Sequence, residues 1–380
     1  MKKISIYVLS AILLFLTSCR NEKKEAASQP VVYEKVKFEK INTPATEKID
    51  SYFEHCYKNG TFNGVVLFAD EGKIIFEKAF GYSDFRTKAP LSTNSVFQLA
   101  SVSKQFTAFA IMLLKERGLI AYSDSIRKFF PSFPYQNVTI RELLTHSSGL
   151  PNYMYFADEY WPDKKKQMAN SDVIEILEKN QPKEYFKPGL TYFYSNTGYA
   201  ILASIVEKVS GMPFYKFMET QIFKPLGMES TFVYHPDNFP AKNIALGHFP
   251  NRREAGLNYQ DGVVGDKGVY STVEDLLRWD YALYKGRLVG KPALEEAFKP
   301  AFKKLREDHN YGFGWRINER ENIVYHGGWW NGYRSYIVRS LKNHRTIIIL
   351  INVASHVPFH LQDLQEFFGS KGHMELTMND

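Results

Sequence analysis

Two strand pairs at opposite ends of the chain constrain the fold more than any other feature. Phe62 to Ala69 and Lys73 to Phe80 are β-rich runs separated by Asp70-Glu71-Gly72, the pattern of a hairpin with a tight turn. Ser335 to Val338 and Thr346 to Val353 form a second pair, joined through Leu341-Lys342-Asn343-His344. Between them the signals are helical. Thr139-Ile140-Arg141-Glu142 and Ser271-Thr272-Val273-Glu274 read as capping boxes, with helices that stop near Gly149 and Gly286. Asn196 opens an amphipathic stretch with Tyr199, Leu202, Ala203 and Val206 on one face, ending at Ser210-Gly211 before Pro213. Strands outside and helices inside predict an α+β fold: an antiparallel sheet drawn from both ends, flanked by helices, with a mostly helical lobe over about 115–265.

In that middle, Ser101-Val102-Ser103-Lys104 sets a hydroxyl and an amine one helical turn apart. The next ten residues, Gln105 to Leu114, carry no charge, and Phe106, Phe109, Ala110 and Leu113 mark a helix buried almost all round. An amine there is poorly solvated. Lowering a lysine pKa from ~10.4 to near 7 takes roughly 4 to 5 kcal/mol of differential interaction, which burial and dipoles supply, and the neutral amine is then a base toward Ser101. The competing reading makes Ser101 a helix N-cap and Lys104 a first-turn residue reaching to water, although a cation there opposes the helix dipole. Spacing alone does not decide, because Ser125-Ile126-Arg127-Lys128 repeats it.

A nucleophile also needs proton-transfer partners, oxyanion donors and a surface that holds substrate, which polar groups at element ends supply. Tyr194-Ser195-Asn196 follows the turn at Lys187-Pro188-Gly189, and in extended backbone a phenol and an amide two residues apart face the same side. Tyr57-Lys58-Asn59 and Tyr135-Gln136-Asn137 share that pattern. His326-Gly327-Gly328 is the only His-x-Gly of the chain. Strand glycines let another backbone approach, and the amide after them can point at an oxyanion. A turn or a bulge is the plain alternative at each.

The N-terminus reads as a secretory signal over residues 1–18: Met1-Lys2-Lys3, then a 13-residue run from Ile4 to Leu16 broken only by Ser5 and Ser10. That run is short of the ~20 residues that span a bilayer. Leu16-Thr17-Ser18-Cys19 resembles a bacterial lipobox, which implies export to the cell envelope with a lipid anchor on Cys19, at the outer membrane or periplasm if the cell is Gram-negative. Residues 19–44 read as the lipidated N-terminus and a flexible tether, 45–375 as the folded domain, and 376–380 as a tail. With Cys19 lipidated, Cys56 is the one remaining thiol, a small core residue. The formal charge of +7 falls to +5 without Lys2 and Lys3, spread along the chain except for the solvated cluster Lys164-Lys165-Lys166. The sequence has no basic helix with interleaved aromatics, no zinc-ligand spacing and no Gly-x-Gly-x-x-Gly or Walker loop, so no nucleic-acid or nucleotide partner is expected.

Ser-x-x-Lys, Tyr-x-Asn and His-x-Gly in this order resemble the serine β-lactamase and penicillin-binding protein superfamily, specifically its class C-like branch. Phe97-Gln98-Leu99-Ala100, Leu143-Leu144-Thr145-His146-Ser147-Ser148-Gly149-Leu150, Lys224-Pro225-Leu226-Gly227-Met228 and Gly268-Val269-Tyr270-Ser271 add to a likeness that covers roughly residues 45 to 365. The resemblance implies a β-lactamase/transpeptidase-like fold with Ser101 as the acylated nucleophile. It further implies that Lys104 and Tyr194 share the proton transfers, that Asn196, His326 and Gly328 bind substrate, and that the backbone N–H groups of Ser101 and Trp329 form an oxyanion hole. His146 is structural in that picture, and no metal or cofactor is required. Gly-x-Ser-x-Gly is absent, against an α/β-hydrolase elbow.

The chain departs from the pattern where Lys-[Ser/Thr]-Gly would hold a ligand carboxylate: His326 and Gly327 stand there instead. One charge-assisted contact and one hydrogen bond are missing, which weakens carboxylate recognition by roughly 2 to 4 kcal/mol. Trp329 and Trp330 are expected to narrow the cleft. The expected activity is therefore acyl hydrolysis of an ester or a peptide, peptidoglycan-derived ones included, with weak or no β-lactam hydrolysis. The alternatives are a DD-carboxypeptidase or β-lactamase proper, or a silent sensor.

Overall fold

Hydrogen bonding joins the two terminal strand pairs in one sheet, as their hairpin patterns require. The computed structural model describes residues 31–239, 243–303, 310–354, 364 and 366–368. Helix α1 (Pro44–Lys58) precedes β1 (Gly64–Asp70), β2 (Lys73–Phe80) and the short strands β3 (Tyr82–Asp84), β4 (Ala89–Pro90) and β5 (Phe97–Gln98). The middle forms α2 (Ser103–Glu116), α3 (Ile140–Leu144), α4 (Tyr153–Tyr160), α5 (Asn170–Asn180), α6 (Asn196–Ser210) and α7 (Phe214–Met218). Then come β6 (Phe232–Val233), β7 (Val269–Ser271), α8 (Val273–Lys285) and α9 (Lys291–Ala297). The last strands are β8 (Asn310–Tyr311), β9 (Arg316–Asn318), β10 (Ile323–Trp330), β11 (Tyr333–Ser340) and β12 (Thr346–Ile351). Seven of the strands form one antiparallel sheet, ordered β2-β1-β12-β11-β10-β9-β8, in which β1 beside β12 unites the two ends of the chain. The α+β class and the helical middle agree with the sequence reading.

Strand periodicity assigns each side chain to one of two cores. Val66, Phe68, Tyr336, Ile347 and Ile349 pack under α1 with Ile49, Phe53 and Cys56. Val65, Leu67, Ile337, Ile348 and Leu350 face the other way, onto a larger core that includes Phe106, Phe109 and Trp279. Each such side chain contributes about 1.5 to 3 kcal/mol by leaving water. Burial pushes the Cys56 thiol up from its ordinary range, in keeping with a core residue. The β1–β2 turn has positive φ at Glu71 (51°) and Gly72 (79°), the left-handed pair whose twist matches a hairpin.

Three local expectations are corrected. The helix after Thr139 ends at Leu144, not near Gly149, because His146 adopts φ 56° and turns its ring into the core. The helix that stops at Gly286 is capped by Thr272, which accepts from Asp275 N–H at 3.2 Å, while Ser271 belongs to β7. The expected tether is docked from Tyr33 onward: Tyr33 N–H donates to Pro225 O and Ile41 N–H to Ile74 O, both at 2.9 Å. The packed unit thus begins at Val32 rather than residue 45. The expected signal peptide, Cys19 and the 376–380 tail lie outside the described residues. No helix among the described residues is long and apolar enough to cross a membrane.

Candidate active site

The elements around Ser101 are arranged by the strand that precedes it. Phe97 and Gln98 pair with Ser271 and Tyr270 of β7, and Leu99 N–H donates to Val269 O at 2.8 Å. The chain then makes a 3-10 turn over Ala100–Val102 and enters α2. Ala100 sits at φ 47°, a left-handed conformation that costs a non-glycine residue about 1 kcal/mol and lifts Ser101 out of the helix start. Ser101 is therefore not an N-cap. From Ser103 to Leu114 every residue of α2 is buried, as the uncharged run predicts.

Lys104 is 0% exposed, and its Nζ donates to Ser101 Oγ (3.1 Å), Asn196 Oδ1 (2.7 Å) and Asp266 O (2.9 Å). Three acceptors match the three N–H bonds of an ammonium. Tyr194 and Asn196 flank Ser195, whose extended backbone (φ −139°, ψ 125°) turns both side chains to the same site. The Tyr194 hydroxyl is hydrogen-bonded to Ser101 Oγ at 2.8 Å. Lys104 Nζ lies 4.8 Å from the centre of the Tyr194 ring and the Arg316 guanidinium 5.7 Å from it. Asn196 Nδ2 meets Met154 Sδ of α4.

The second face of the site is the end of β10. Its first three residues pair with β9, but from His326 to Trp330 its neighbour in the sheet is β11 alone. Gly328 lies against Ser101: a Cβ there would stand 2.3 Å from Leu99 O and 2.9 Å from Ser101 N. The Gly328 face toward Ser101 is thus taken up by close packing of backbone, and this glycine serves the approach of Ser101 rather than of substrate. Trp329 is the next residue along the strand, one position beyond this close approach. Its side chain does not narrow the Ser101 face of the strand. Alternation puts it on the opposite face, 61% exposed, with the Arg334 guanidinium 5.8 Å from its ring centre.

His326 points toward the site but is 1% exposed. Its Nδ1 lies 2.6 Å from Gly327 O and its Nε2 2.9 Å from Tyr311 Oη. A carbonyl only accepts, so Nδ1 carries the proton and Nε2 accepts from Tyr311. Burial first, then Arg316 and Lys104, hold this imidazole well below the ordinary histidine range. Both of its nitrogens are occupied internally, which corrects the expectation that His326 binds substrate. His146 is buried as well, with Nδ1 accepting from Ser195 N–H (3.2 Å) and its ring 4.3 Å from that of Tyr194. Burial, then Lys104, keep it neutral too. Tyr311, Arg316, Asp266 and Lys267 were missed in the sequence. Only the Asp266-Lys267 pair had a signal, two charges inside a glycine-rich stretch before Val269-Tyr270-Ser271.

Similarity to known proteins spans most of the chain. The sequence profile of the family described as Beta-lactamase matches residues 49–366. Penicillin-binding protein 4* of Bacillus subtilis (strain 168) is 40% identical over 321 residues, covering 80% of this chain and 71% of that protein. Protein flp of Staphylococcus aureus (strain NCTC 8325 / PS 47) is 26% identical over 334 residues, 84% of this chain and 66% of flp. The crystal structure of penicillin binding protein from Bacillus halodurans is similar with a TM-score of 0.70 at 25% identity, covering 80% of this chain and 96% of that one. A class C beta-lactamase shares the fold, with a TM-score of 0.73 at 19% identity over 87% of this chain and 97% of that one.

Proposed function

Because this chain belongs to the Beta-lactamase family and is a serine hydrolase of that fold, we propose that it forms an acyl-enzyme on Ser101 with an ester or peptide substrate at the bacterial cell envelope. The observation that carries this reading is Ser101 Oγ held between Lys104 Nζ and the Tyr194 hydroxyl. Tyr194, as the phenolate that the Lys104 and Arg316 side chains against its ring favour, takes the Ser101 proton as Oγ attacks the substrate carbonyl, and becomes the neutral phenol. The N–H groups of Ser101 and Trp329 receive the oxyanion, a donor pair of which each member is worth about 10² to 10³ in rate. Tyr194 returns the proton to the leaving group, and water then attacks the acyl-enzyme by the same transfers in reverse order. Asn196 orients the acyl portion.

The preference for esters or carboxylate-free peptides over β-lactams rests on His326 and Gly327. A neutral, internally bonded imidazole supplies no charge to a ligand carboxylate, and Gly327 supplies no hydroxyl. One observation favours a second reading, a DD-carboxypeptidase: Arg316 brings a guanidinium to the Tyr194 side of the site. Export and a lipid on Cys19 complete the proposal.

Purified protein incubated with a fluorophosphonate probe should gain one adduct by intact mass, absent in Ser101→Ala. A short-chain nitrophenyl ester should then be turned over faster than a chromogenic cephalosporin. Efficient cephalosporin hydrolysis would overturn the substrate assignment, and faster release of D-Ala from a D-Ala-D-Ala peptide would select the carboxypeptidase.

A further inference from the structure

The segment 258–269 bridges the two halves of the site. On one side it is stitched to α2: Asp266 O accepts from Lys104 Nζ (2.9 Å), Gly265 O from Thr107 Oγ1 (2.8 Å), and Val269 N–H donates to Ser103 Oγ (3.0 Å). On the other side Asp261, 2% exposed, accepts Trp330 Nε1 on Oδ1 (2.6 Å), and Asn331 Nδ2 (2.9 Å) and Asn258 N–H on Oδ2. Lys267, 3% exposed, lies 5.0 Å from the centre of the Trp330 ring. Its Nζ donates to Tyr153 Oη (2.5 Å) and Val263 O (3.0 Å) and stands 3.6 Å from Asp266 Oδ2. The Trp330 indole thus has a carboxylate on its N–H and an ammonium over its ring.

Burying a carboxylate and an ammonium costs several kcal/mol per ion before their partners offset it, more than is needed to pack one tryptophan. What the pair adds is direction. Beyond Tyr325 the β10 strand has lost β9 as a neighbour, so its end needs another anchor. Trp330 is the last residue of β10, and the residue before it follows Gly328, whose backbone packs against Ser101. We propose that Asp261 and Lys267 are positioning residues that lock Trp330 and so hold Trp329 N–H where the oxyanion forms, an inference that rests on the acyl-enzyme reading above.

Trp330→Phe keeps an aromatic ring beside Lys267 and removes the N–H bonded to Asp261 along with part of the indole's bulk. Asp261→Asn leaves the indole in place and disturbs the same bond from the other end. For each, kcat and KM with nitrophenyl acetate, the inhibition constant of phenylboronic acid and the melting temperature are measured. A boronate on Ser101 is tetrahedral and fills the oxyanion position, so it reports that position directly. The expected result is a loss of about 10- to 100-fold in kcat/KM, carried by kcat, with boronate binding weakened in parallel and the melting temperature within about 4 °C. Folded variants that keep kcat/KM and boronate affinity within about twofold of wild type, or lose only KM, overturn the inference. Wild-type protein that neither turns over the ester nor binds the boronate overturns the acyl-enzyme reading as well, which distinguishes the two failures.

Discussion

Ser101-Val102-Ser103-Lys104 and Ser125-Ile126-Arg127-Lys128 have the same spacing, and both begin on a 3-10 turn. Ser125 is the N-cap of its turn, its Oγ accepting from Arg127 N–H at 3.3 Å, and Lys128 reaches into water to pair with Asp124 at 2.7 Å. Ser101 caps nothing. Its lysine is buried and bonded to neutral acceptors, with Tyr194 on the far side of the hydroxyl. The exposed lysine is therefore matched by a carboxylate and by solvent, while the buried one is held by uncharged partners with its Nζ directed at Ser101. What separates the copies is the chain that follows: α2 runs inward as a buried helix, whereas Lys128 is followed by Phe129, Phe130 and Pro131, which turn away.

Substitution of both serines sharpens this contrast most. Ser101→Ala should lower ester hydrolysis by at least about 10⁴-fold, whereas Ser125→Ala should leave it unchanged and cost about 0.5 to 1 kcal/mol of stability through the lost cap, read in urea denaturation. Equal losses of activity would erase the distinction. Lys104→Met should lower kcat by about 10² to 10⁴-fold. Its melting temperature should shift little, since relief of a buried ammonium offsets the loss of its bonds to Asn196 and Asp266.

pH acts on the buried copy through its histidine neighbours. His146 and His326 both have folded pKa values well below 6.5. Above about pH 7.5 both residues are neutral in the folded and unfolded chain and add no slope. As pH falls below that value the unfolded chain binds two protons the fold refuses, so these residues lower stability by up to roughly 2.7 kcal/mol per pH unit. A urea midpoint that stays flat between about pH 6.5 and 5.5 contradicts this account. The smallest effect belongs to Lys128→Met, about 0.3 to 0.5 kcal/mol with unchanged activity, because an exposed i,i+4 pair is worth no more.

Much of this was legible beforehand, where short-range physics decides. The hairpin at Glu71-Gly72, the buried period of α2, the stop of α6 at Gly211 and the paired reach of Tyr194 and Asn196 all follow from local spacing. The errors share a cause. His326, Gly328 and Trp329 were assigned to substrate or cleft as neighbours in sequence, yet alternation sends the Trp329 side chain away from Ser101, while on the Ser101 face His326 is bonded to Tyr311 and Gly328 is packed against the Leu99–Ser101 turn. Which face meets Ser101 is set by the partner strands. Likewise the helix after Thr139 stops early because His146 has a better partner in Ser195, far along the chain.

The sequence by itself determined the class of fold and the ordered segments that mark the family, each segment read from residues within a turn or two of one another, and it offered Ser101 and Lys104 as candidates beside Ser125 and Lys128. Only the tertiary structure decided which Ser-x-x-Lys is buried, that His326 is closed off by Tyr311, and that Asp261 and Lys267 reach Trp330. Those outcomes depend on contacts between residues tens to hundreds of positions apart, and burial and charge balance are properties of the packed site rather than of any segment that enters it.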